Sequence, residues 1–234
     1  MHYIGQNRPT RQQRRSEQRK PEKSSMPQDD RPPLAFRLLE PALMEALESV
    51  LRGSWGRTCW CMYPRLRAKE FEALPGSGPL GPRRRAAMTE LARAAPAPGL
   101  VAFEGDEAVG WAAVAPRPAF ARVCASRATP AVDAVPVWAI PCVTVRKTAR
   151  GRGVAVALVR AAAAFAFECG APAVEAYPRA GEARTGADNA YFGTEPLFRR
   201  AGFRTVRGPL EGLPRNWAPR VAMRLDAPGK EEDA

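Results

Sequence analysis

The chain has 234 residues, of which 45% are hydrophobic, and it carries a formal net charge of +12. This length and apolar content predict one folded domain with a sizeable core. The positive charge favours anionic partners such as a polyanionic cofactor, a nucleic acid or a membrane surface. The only histidine is His2, which excludes Ser-His-Asp catalysis, Cys-His nucleophiles and histidine-based metal sites. We therefore expect no metal centre.

Both ends of the chain have the composition of tails. Residues 1–33 contain eight basic and four acidic side chains and almost no apolar periodicity, so the sequence predicts a disordered basic tail there. Residues 228–234 are predicted to form a second, flexible tail, which leaves one domain at 34–227. The basic run at 8–23 could bind nucleic acid through phosphate contacts, but we expect it to be solvated and expect no nucleic-acid partner.

Cysteine usage and hydropathy predict the compartment. Five cysteines, an odd number without a secretory signal, indicate reduced thiols and a cytoplasmic protein. The longest apolar stretch, 154–167, is interrupted by Arg160, so no membrane span is predicted. Cys59 and Cys61 are one residue apart and lack a partner pair, which is poor spacing for zinc. A homodimer is compatible with the sequence.

The apolar pattern predicts an alternation of strands and helices along the chain. Residues 136–145 are almost continuously hydrophobic, which indicates a strand buried on both faces, and the following helix is apolar nearly all round, which indicates a buried helix. The predicted strands are 34–39, 99–103, 108–115, 136–145, 173–177, 203–206 and 218–225. The predicted helices run from Pro41 to a stop at Gly53, then over 83–95, 119–126, 152–169 and from 192 or 196 to 200, with a polar loop at 179–188.

Residues 143–155, which read Val-Thr-Val-Arg-Lys-Thr-Ala-Arg-Gly-Arg-Gly-Val-Ala, join a strand to a helix through a glycine-arginine turn. Such a junction leaves several backbone N–H groups unpaired and aims them, with the positive end of the helix dipole, at one point. A phosphate or pyrophosphate is the anion that we expect there. Gly151 and Gly153 permit close backbone approach, and Arg150 and Arg152 add charge that can pair with phosphate oxygens.

This turn resembles the acyl-CoA pyrophosphate loop of the GCN5-related N-acetyltransferases, the GNAT family. The family pattern is Arg or Gln, two residues, Gly, one residue, then Gly or Ala, and residues 150–155 fit it. Residues 197–203, Leu-Phe-Arg-Arg-Ala-Gly-Phe, are similar to the family's helix-to-strand junction, and the order of elements matches over 101–225. The resemblance implies an α/β fold with a mixed, mostly antiparallel sheet of six or seven strands flanked by helices.

The resemblance also implies an activity and a cofactor site. We expect an N-acetyltransferase that moves an acetyl or short acyl group from acetyl-CoA to a primary amine by direct attack, with an unidentified acceptor. Two strands, around Val143 and Ala173, would diverge to admit the pantetheine arm, which would bond to the main chain of Val143 and Val145. The pyrophosphate would be held by the backbone N–H groups of Gly151, Arg152, Gly153, Val154 and Ala155, with Arg150 as a further cofactor-binding residue.

The catalytic residues depart from the family pattern. The family usually supplies a general acid from a tyrosine four residues before the Gly of the Gly-Phe junction, but this chain has Phe198 there, so Tyr191, Tyr177 or water must replace it. Glu175 is the candidate general base, because a carboxylate is otherwise hard to explain in an apolar strand; the alternative is an ion pair with an arginine. Tyr191 also stands where many relatives carry an asparagine that contacts pantetheine. Cys142 is interpreted as a packed thiol, since no histidine can activate it.

Other interpretations stay open. A dinucleotide site is suggested by Gly151 and Gly153, which begin a Gly-x-Gly-x-x-Gly pattern, with Glu175 where a ribose-binding acid would sit, but Val156 occupies the third glycine position. The turn could also be purely structural. For the whole protein the alternative is a non-catalytic acyl-CoA-binding regulatory module. The aromatic segment 55–63 is the candidate wall for the acceptor.

Overall fold

The β-strands of the described residues form a single sheet. The computed structural model describes residues 31–52, 56–181 and 191–229, and the fold is that of the unit that begins at Pro32. The strands are β1 Leu34–Leu38, β2 Gly99–Glu104, β3 Glu107–Pro116, β4 Trp138–Val145, β5 Ala173–Ala176, β6 Arg204–Arg207 and β7 Ala222–Asp226.

Two helices are long and the other helical segments are short. The α-helices of the described residues are α1 Met44–Val50, α2 Gly56–Cys59, α3 Ala68–Glu72, α4 Leu80–Arg93, α5 Ala121–Ala125, α6 Val154–Glu168 and α7 Glu195–Arg200. Short 3-10 helices occur at Pro41–Leu43, Arg117–Ala119 and Lys147–Ala149. None of these helices is both long and apolar enough to cross a bilayer.

The sheet has the strand order β1-β2-β3-β4-β5-β7-β6. Strands β4 and β5 run parallel, and every other neighbouring pair is antiparallel. A parallel pair needs a crossover connection, and α6 supplies it between β4 and β5. The predicted fold class, a mixed and mostly antiparallel sheet with flanking helices, is confirmed.

The two faces of the sheet form two separate hydrophobic clusters. On one face α6 packs through Leu158 and Val159, and Gly110 of β3 lets it approach closely, because a Cβ at Gly110 would lie 3.1 Å from Leu158 Cδ2. On the other face, α1 and the segment around Cys61 cover Trp111. Burial on both faces explains the near-continuous hydrophobicity of β4.

Element boundaries differ from the prediction where proline or short length decides them. Helix α4 begins at Leu80 and not at 83, because Pro82 is tolerated in the first turn of a helix, where its missing N–H has no partner to lose. Helices α2 and α3 have only four and five residues, which is too short for an apolar period to show. Strand β7 begins at Ala222 and not at 218, since Val221 N–H donates to Pro178 O outside the ladder.

Some predictions fall on residues that the structure does not describe. The tails predicted at 1–33 and 228–234 lie almost entirely outside the described ranges, as do the helix stop at Gly53 and most of the loop at 179–188. Within the described ranges no group of three or more His, Cys, Asp or Glu side chains could hold a metal ion.

Candidate functional site

A glycine loop joins the end of β4 to the start of α6. Gly151 and Gly153 have φ angles of +77° and +81°, in the left-handed region that glycine enters without strain. Gly153 is the N-cap residue of α6, and no side chain caps the helix. The N–H groups of the first turn therefore have no acceptor within the helix. A Cβ added at either glycine would meet no atom within 4 Å, so the loop faces open space where an anion can bind.

The two arginines of the loop attach it to the sheet. Arg150 Nε donates a hydrogen bond to Val145 O at 3.0 Å. Arg152 NH1 donates to both carboxylate oxygens of Glu104, at 3.1 and 3.0 Å. The charge of Arg152 is therefore already paired within the protein. The backbone N–H groups, and not this guanidinium, are the anion-binding groups that the geometry leaves open.

Strands β4 and β5 pair over two residues only and then separate. Trp138 lies opposite Val174 and Ala139 opposite Glu175, and the ladder ends there. The register of β4 against β3 shifts between Ala113 and Ala115, which indicates a β-bulge close to Pro141, a residue that cannot donate a ladder hydrogen bond. Beyond Ala139 the two strands diverge, as the family resemblance implied, and the gap between them beside the second half of β4 is here called the cleft.

The main chain of Val143 faces this cleft. Its N–H donates to Tyr191 O at 2.7 Å, and Val145 lies two residues further along the same edge, towards the glycine loop. Residues two positions apart in a strand direct their N–H groups to the same side. The predicted cofactor contacts of Val143 and Val145 are therefore on the cleft edge, but the amide of Val143 already has an acceptor within the protein.

A cavity of about 470 Å³ opens next to Tyr191. Its walls combine aromatic rings with guanidinium groups and small side chains. The lining residues that matter below are Tyr63, Tyr191, Phe192, Trp217, Arg67, Arg122 and Arg220. Because Tyr191 both lines the cavity and bonds to Val143, the cavity adjoins the cleft.

The cavity wall is a continuous series of ring contacts. The Tyr63 and Tyr191 rings meet edge to face with centroids 6.0 Å apart, and the Tyr191 and Phe192 centroids are 4.6 Å apart. At one end the Arg122 guanidinium carbon lies 4.0 Å from the Tyr63 centroid, and at the other the Arg220 carbon lies 3.8 Å from that of Phe192. Such cation–π contacts hold both guanidiniums in fixed positions.

Of the three predicted catalytic residues, Tyr191 alone lines this cavity. Burial raises the pKa of Tyr191, as does the nearby Tyr63, while the charge of Arg220 opposes the shift. The phenol therefore stays protonated at neutral pH and is able to donate a hydrogen bond.

Glu175 and Tyr177 lie deeper, in a charged network on β5. Glu175 is only 1% exposed, and its Oε1 accepts from Arg224 Nε at 3.0 Å and from Arg224 NH2 at 2.6 Å. Its Oε2 accepts from Tyr177 OH at 2.6 Å, and Arg224 also forms a bidentate pair with Asp133. Burial, followed by the charge of Glu175, raises the pKa of Tyr177. Glu175 borders a second cavity, of about 260 Å³, and has the arginine partner that the alternative interpretation required.

Only part of the segment predicted as the acceptor wall lines the cavity. In the segment 55–63, residues 59–62 are buried in the core, Tyr63 lines the cavity, and Trp55 lies outside the described residues. Phe198 is fully buried and packs against Phe203 at 5.2 Å, on the α6 face of the sheet and away from the cavity.

Cys142 has the geometry of a packed thiol. Its Sγ lies 3.2 Å from Cys61 Sγ, which also accepts from Trp111 Nε1. The contact with Cys142 and burial raise the pKa of Cys61 well above its usual value. A buried thiol of this kind is a poor nucleophile.

The sequence analysis missed most of the cavity residues, among them Arg67, Arg122, Phe192, Trp217 and Arg220. They come from segments that no motif connects, and arginine is so frequent in this chain that single arginines carry little signal. Their common location becomes visible only once the chain is folded.

Comparisons with known proteins agree with this architecture. The model of the acetyltransferase (GNAT) family matches residues 60–193, whereas no curated protein sequence matches the chain. A GNAT-family acetyltransferase of Desulfovibrio desulfuricans is 16% identical, has a TM-score of 0.50, and covers 84% of this chain and 100% of its own.

Two further solved structures carry the cofactor. The Salmonella typhimurium acetyltransferase yncA, solved with acetyl-CoA, is 17% identical over 86% of this chain and 96% of its own, with a TM-score of 0.48. Arabidopsis thaliana NAA60, in complex with acetyl-CoA, is 14% identical over 83% and 99%, with a TM-score of 0.46. The family model spans more than half of the chain, including the glycine loop and Tyr191, and the chain therefore belongs to the GNAT acetyltransferase family.

Proposed function

We propose that this protein is an N-acetyltransferase that transfers an acetyl or short acyl group from acetyl-CoA to a primary amine by direct attack. The supporting observation is the continuity of three features: the open glycine loop at the start of α6, the cleft beside β4, and the cavity at Tyr191. A cofactor with an anionic head and a long arm fits the first two, and an acceptor fits the third.

The cofactor would be held mainly by the main chain. The N–H groups of residues 151–155 would bind the pyrophosphate, since a helix N-terminus concentrates both unpaired donors and positive dipole charge. The arm would lie along the cleft edge at Val143 and Val145. Binding would replace Tyr191 O by a cofactor oxygen as the acceptor for Val143 N–H, so one hydrogen bond is exchanged for another.

The chemistry would need few side chains. The neutral amine nitrogen attacks the thioester carbon to give a tetrahedral intermediate, and the C–S bond then breaks as the thiolate leaves. The nitrogen loses its extra proton to water, and the released thiolate takes up a proton in turn. Val143 N–H would stabilise the developing oxyanion once Tyr191 O has been displaced. Tyr191 OH is the proposed hydrogen-bond donor to the leaving sulfur, because it lines the cavity and stays protonated.

Glu175 has a structural role in this proposal. Its two oxygens are occupied by Arg224 and Tyr177, and it borders the second cavity instead of the first. A role of Glu175 as the general base stays a prediction. A bound amine near Arg220 and Arg122 would already favour its neutral form, because nearby positive charge disfavours an ammonium group.

A combined binding and turnover experiment tests the proposal. Titration calorimetry with acetyl-CoA and with NAD identifies the cofactor, and thiol release from acetyl-CoA is then followed with a panel of amines. We expect saturable binding of acetyl-CoA, none of NAD, and amine-dependent thiol release. A preference for NAD, or no binding of either, would contradict the proposal.

The alternative function is a non-catalytic acyl-CoA-binding module. Phe198 at the usual acid position and the pairing of Glu175 with Arg224 favour it. Binding of acetyl-CoA without thiol release across a panel that includes cationic, neutral and anionic amines would support the module and exclude the enzyme.

A further inference from the structure

We infer that the cavity at Tyr191 accepts amines that also carry an anionic group, a carboxylate or a phosphate, beside an aromatic or apolar body. The inference rests on the proposed function and names its substrate class. It starts from the charge of the cavity: Arg67, Arg122 and Arg220 line it, and none of its described lining residues is acidic.

Arg220 is the principal anchor for the anion. Its NH1 donates to Tyr177 O at 2.9 Å, and its guanidinium lies on the Phe192 ring, so its position is fixed. Burial lowers the pKa of Arg220, and the neighbouring Arg179 acts in the same direction. No described carboxylate is paired with it. A partly buried guanidinium without an anion is costly, and an anionic ligand would remove that cost.

Arg122 provides the second fixed guanidinium. Its Nε donates to Tyr63 O at 2.8 Å and to Leu66 O at 3.1 Å, and it lies over the Tyr63 ring. No hydrogen bond to a described residue uses its terminal nitrogens. The planar fork of arginine matches the two oxygens of a carboxylate or phosphate, so Arg122 and Arg220 leave donors available to a ligand from both ends of the wall.

The wall between the two arginines determines the rest of the ligand. Tyr63, Tyr191 and Phe192 present ring surface, and Trp217, 41% exposed, extends it. A flat or apolar body stacks favourably on such surface. A volume of about 470 Å³ suits a small molecule or one side chain with its flanking backbone. All charged side chains in the described lining are arginines, so the cavity would repel polycationic amines.

Matched acceptors test the inference. The first series consists of phenylalanine, phenylalanine amide and phenethylamine, which share an aromatic ring and a primary amine, but only phenylalanine carries a carboxylate. The second series compares O-phosphoethanolamine, which carries a phosphate, with ethanolamine, which does not. In each series that the enzyme acetylates, we expect the kcat/KM measured from thiol release to be at least about tenfold higher for the anionic member. Equal rates within both series, or a preference for the cationic members, would overturn the inference.

Variants of Arg220 link that preference to the cavity. Arg220→Gln should lower kcat/KM for the anionic acceptor about tenfold or more, mainly through KM, and leave the uncharged analogue within about twofold. Arg220→Lys should restore part of the loss, and Arg93→Gln, an exposed arginine of α4, serves as the control. An equal loss for anionic and uncharged acceptors would overturn the inference.

A binding measurement separates this inference from the proposed function. Calorimetry of N-acetylphenylalanine and of N-acetylphenethylamine requires no turnover. We expect the carboxylate form to bind more tightly to the wild-type chain and to lose that advantage in Arg220→Gln, with thermal melting confirming that the variant is folded. If amines are acetylated without such an advantage, the inference fails and the proposed function stands. If acetyl-CoA does not bind but N-acetylphenylalanine binds with the expected advantage, the proposed function fails and the anion preference of the cavity stands.

Discussion

Tyr191 connects the two parts of the site through different atoms. Its carbonyl accepts from Val143 on β4, while its ring lies between Tyr63 and Phe192 in the wall of the proposed acceptor cavity. A substitution that removes only the hydroxyl therefore separates a chemical role from a structural one.

We expect Tyr191→Phe to lower kcat by about tenfold to a hundredfold, because the leaving thiolate loses its hydrogen-bond donor. The affinity for acetyl-CoA should stay unchanged, since the main chain of residue 191 is retained. Steady-state thiol release and calorimetry measure the two quantities. Tyr63→Phe is the matched control, as its ring lines the same cavity. An unchanged kcat in Tyr191→Phe would remove Tyr191 from the chemistry.

Glu175→Gln tests whether the buried carboxylate is structural. Removing one partner of a buried ion pair destabilises a protein by several kcal/mol, and because Asp133 still neutralises Arg224 we expect a loss of about 2–3 kcal/mol in the free energy of unfolding. The value of kcat at pH 8 should stay within about threefold of the wild type. A hundredfold loss of kcat with unchanged stability would instead assign Glu175 as the general base.

Asp133 makes the stability of the fold depend on pH, and its hydrogen-bond partners determine the sign of that dependence. The hydrogen bonds from Arg224, and then that from Val135 N–H, lower the pKa of Asp133 below its ordinary value of 3.8. A lowered pKa in the folded state stabilises the fold above the unfolded-state pKa, and this stabilisation is lost as the pH falls through the folded-state pKa. Asp133→Asn should therefore lower stability slightly at pH 7 and make it fall less steeply below pH about 4. Urea unfolding at pH 7, 5, 4 and 3 measures this, and parallel pH profiles of the two proteins would contradict it.

At the scale of elements, α6 and its two ends could largely be predicted. The apolar run and the flanking glycines indicated a buried helix over 152–169, and the structure has Val154–Glu168. The short α2 and α3 could not be predicted, because four or five residues contain about one turn and show no period. The divergence of β4 and β5 came from the family resemblance, since single residues such as Pro141 do not reveal how far two strands pair.

Gly153 and Gly170, at opposite ends of α6, make a matched pair for testing the loop. Their φ angles are +81° and +84°, and a Cβ at either would meet no atom within 4 Å. Valine at each position should therefore impose a similar strain of about 1–3 kcal/mol. We expect Gly153→Val alone to weaken acetyl-CoA binding tenfold or more, because its side chain would enter the anion-binding loop.

Calorimetry of both variants, with unfolding curves to compare their stability, provides the measurement. Equal affinities in Gly153→Val and in the wild type would place the cofactor elsewhere. Equal losses in both variants would mean that strain in α6, and not the loop itself, controls binding.

At the scale of the whole molecule, the proposed cofactor side and the proposed acceptor side differ in how far the sequence predicts them. The proposed cofactor side consists of contiguous residues on β4 and the following loop, so a short motif is enough to identify it. The cavity is assembled from four separate segments, which contribute Tyr63, Arg122, Tyr191 and Arg220 among others. No local pattern relates such residues. For the same reason Glu175 could be selected as an unusual strand carboxylate, whereas its partners Arg224 and Asp133 could not.

We propose that the start of α6 binds the diphosphate of the coenzyme. Amide hydrogen exchange, measured with and without acetyl-CoA, tests this proposal most directly. The N–H groups of residues 151–156 lack helical acceptors and should exchange rapidly in the free protein. Saturating acetyl-CoA should slow their exchange at least tenfold, while NAD at the same concentration should leave it unchanged. Saturation with acetyl-CoA that leaves these amides unprotected, with slower exchange elsewhere in the chain, would contradict the assignment of the loop.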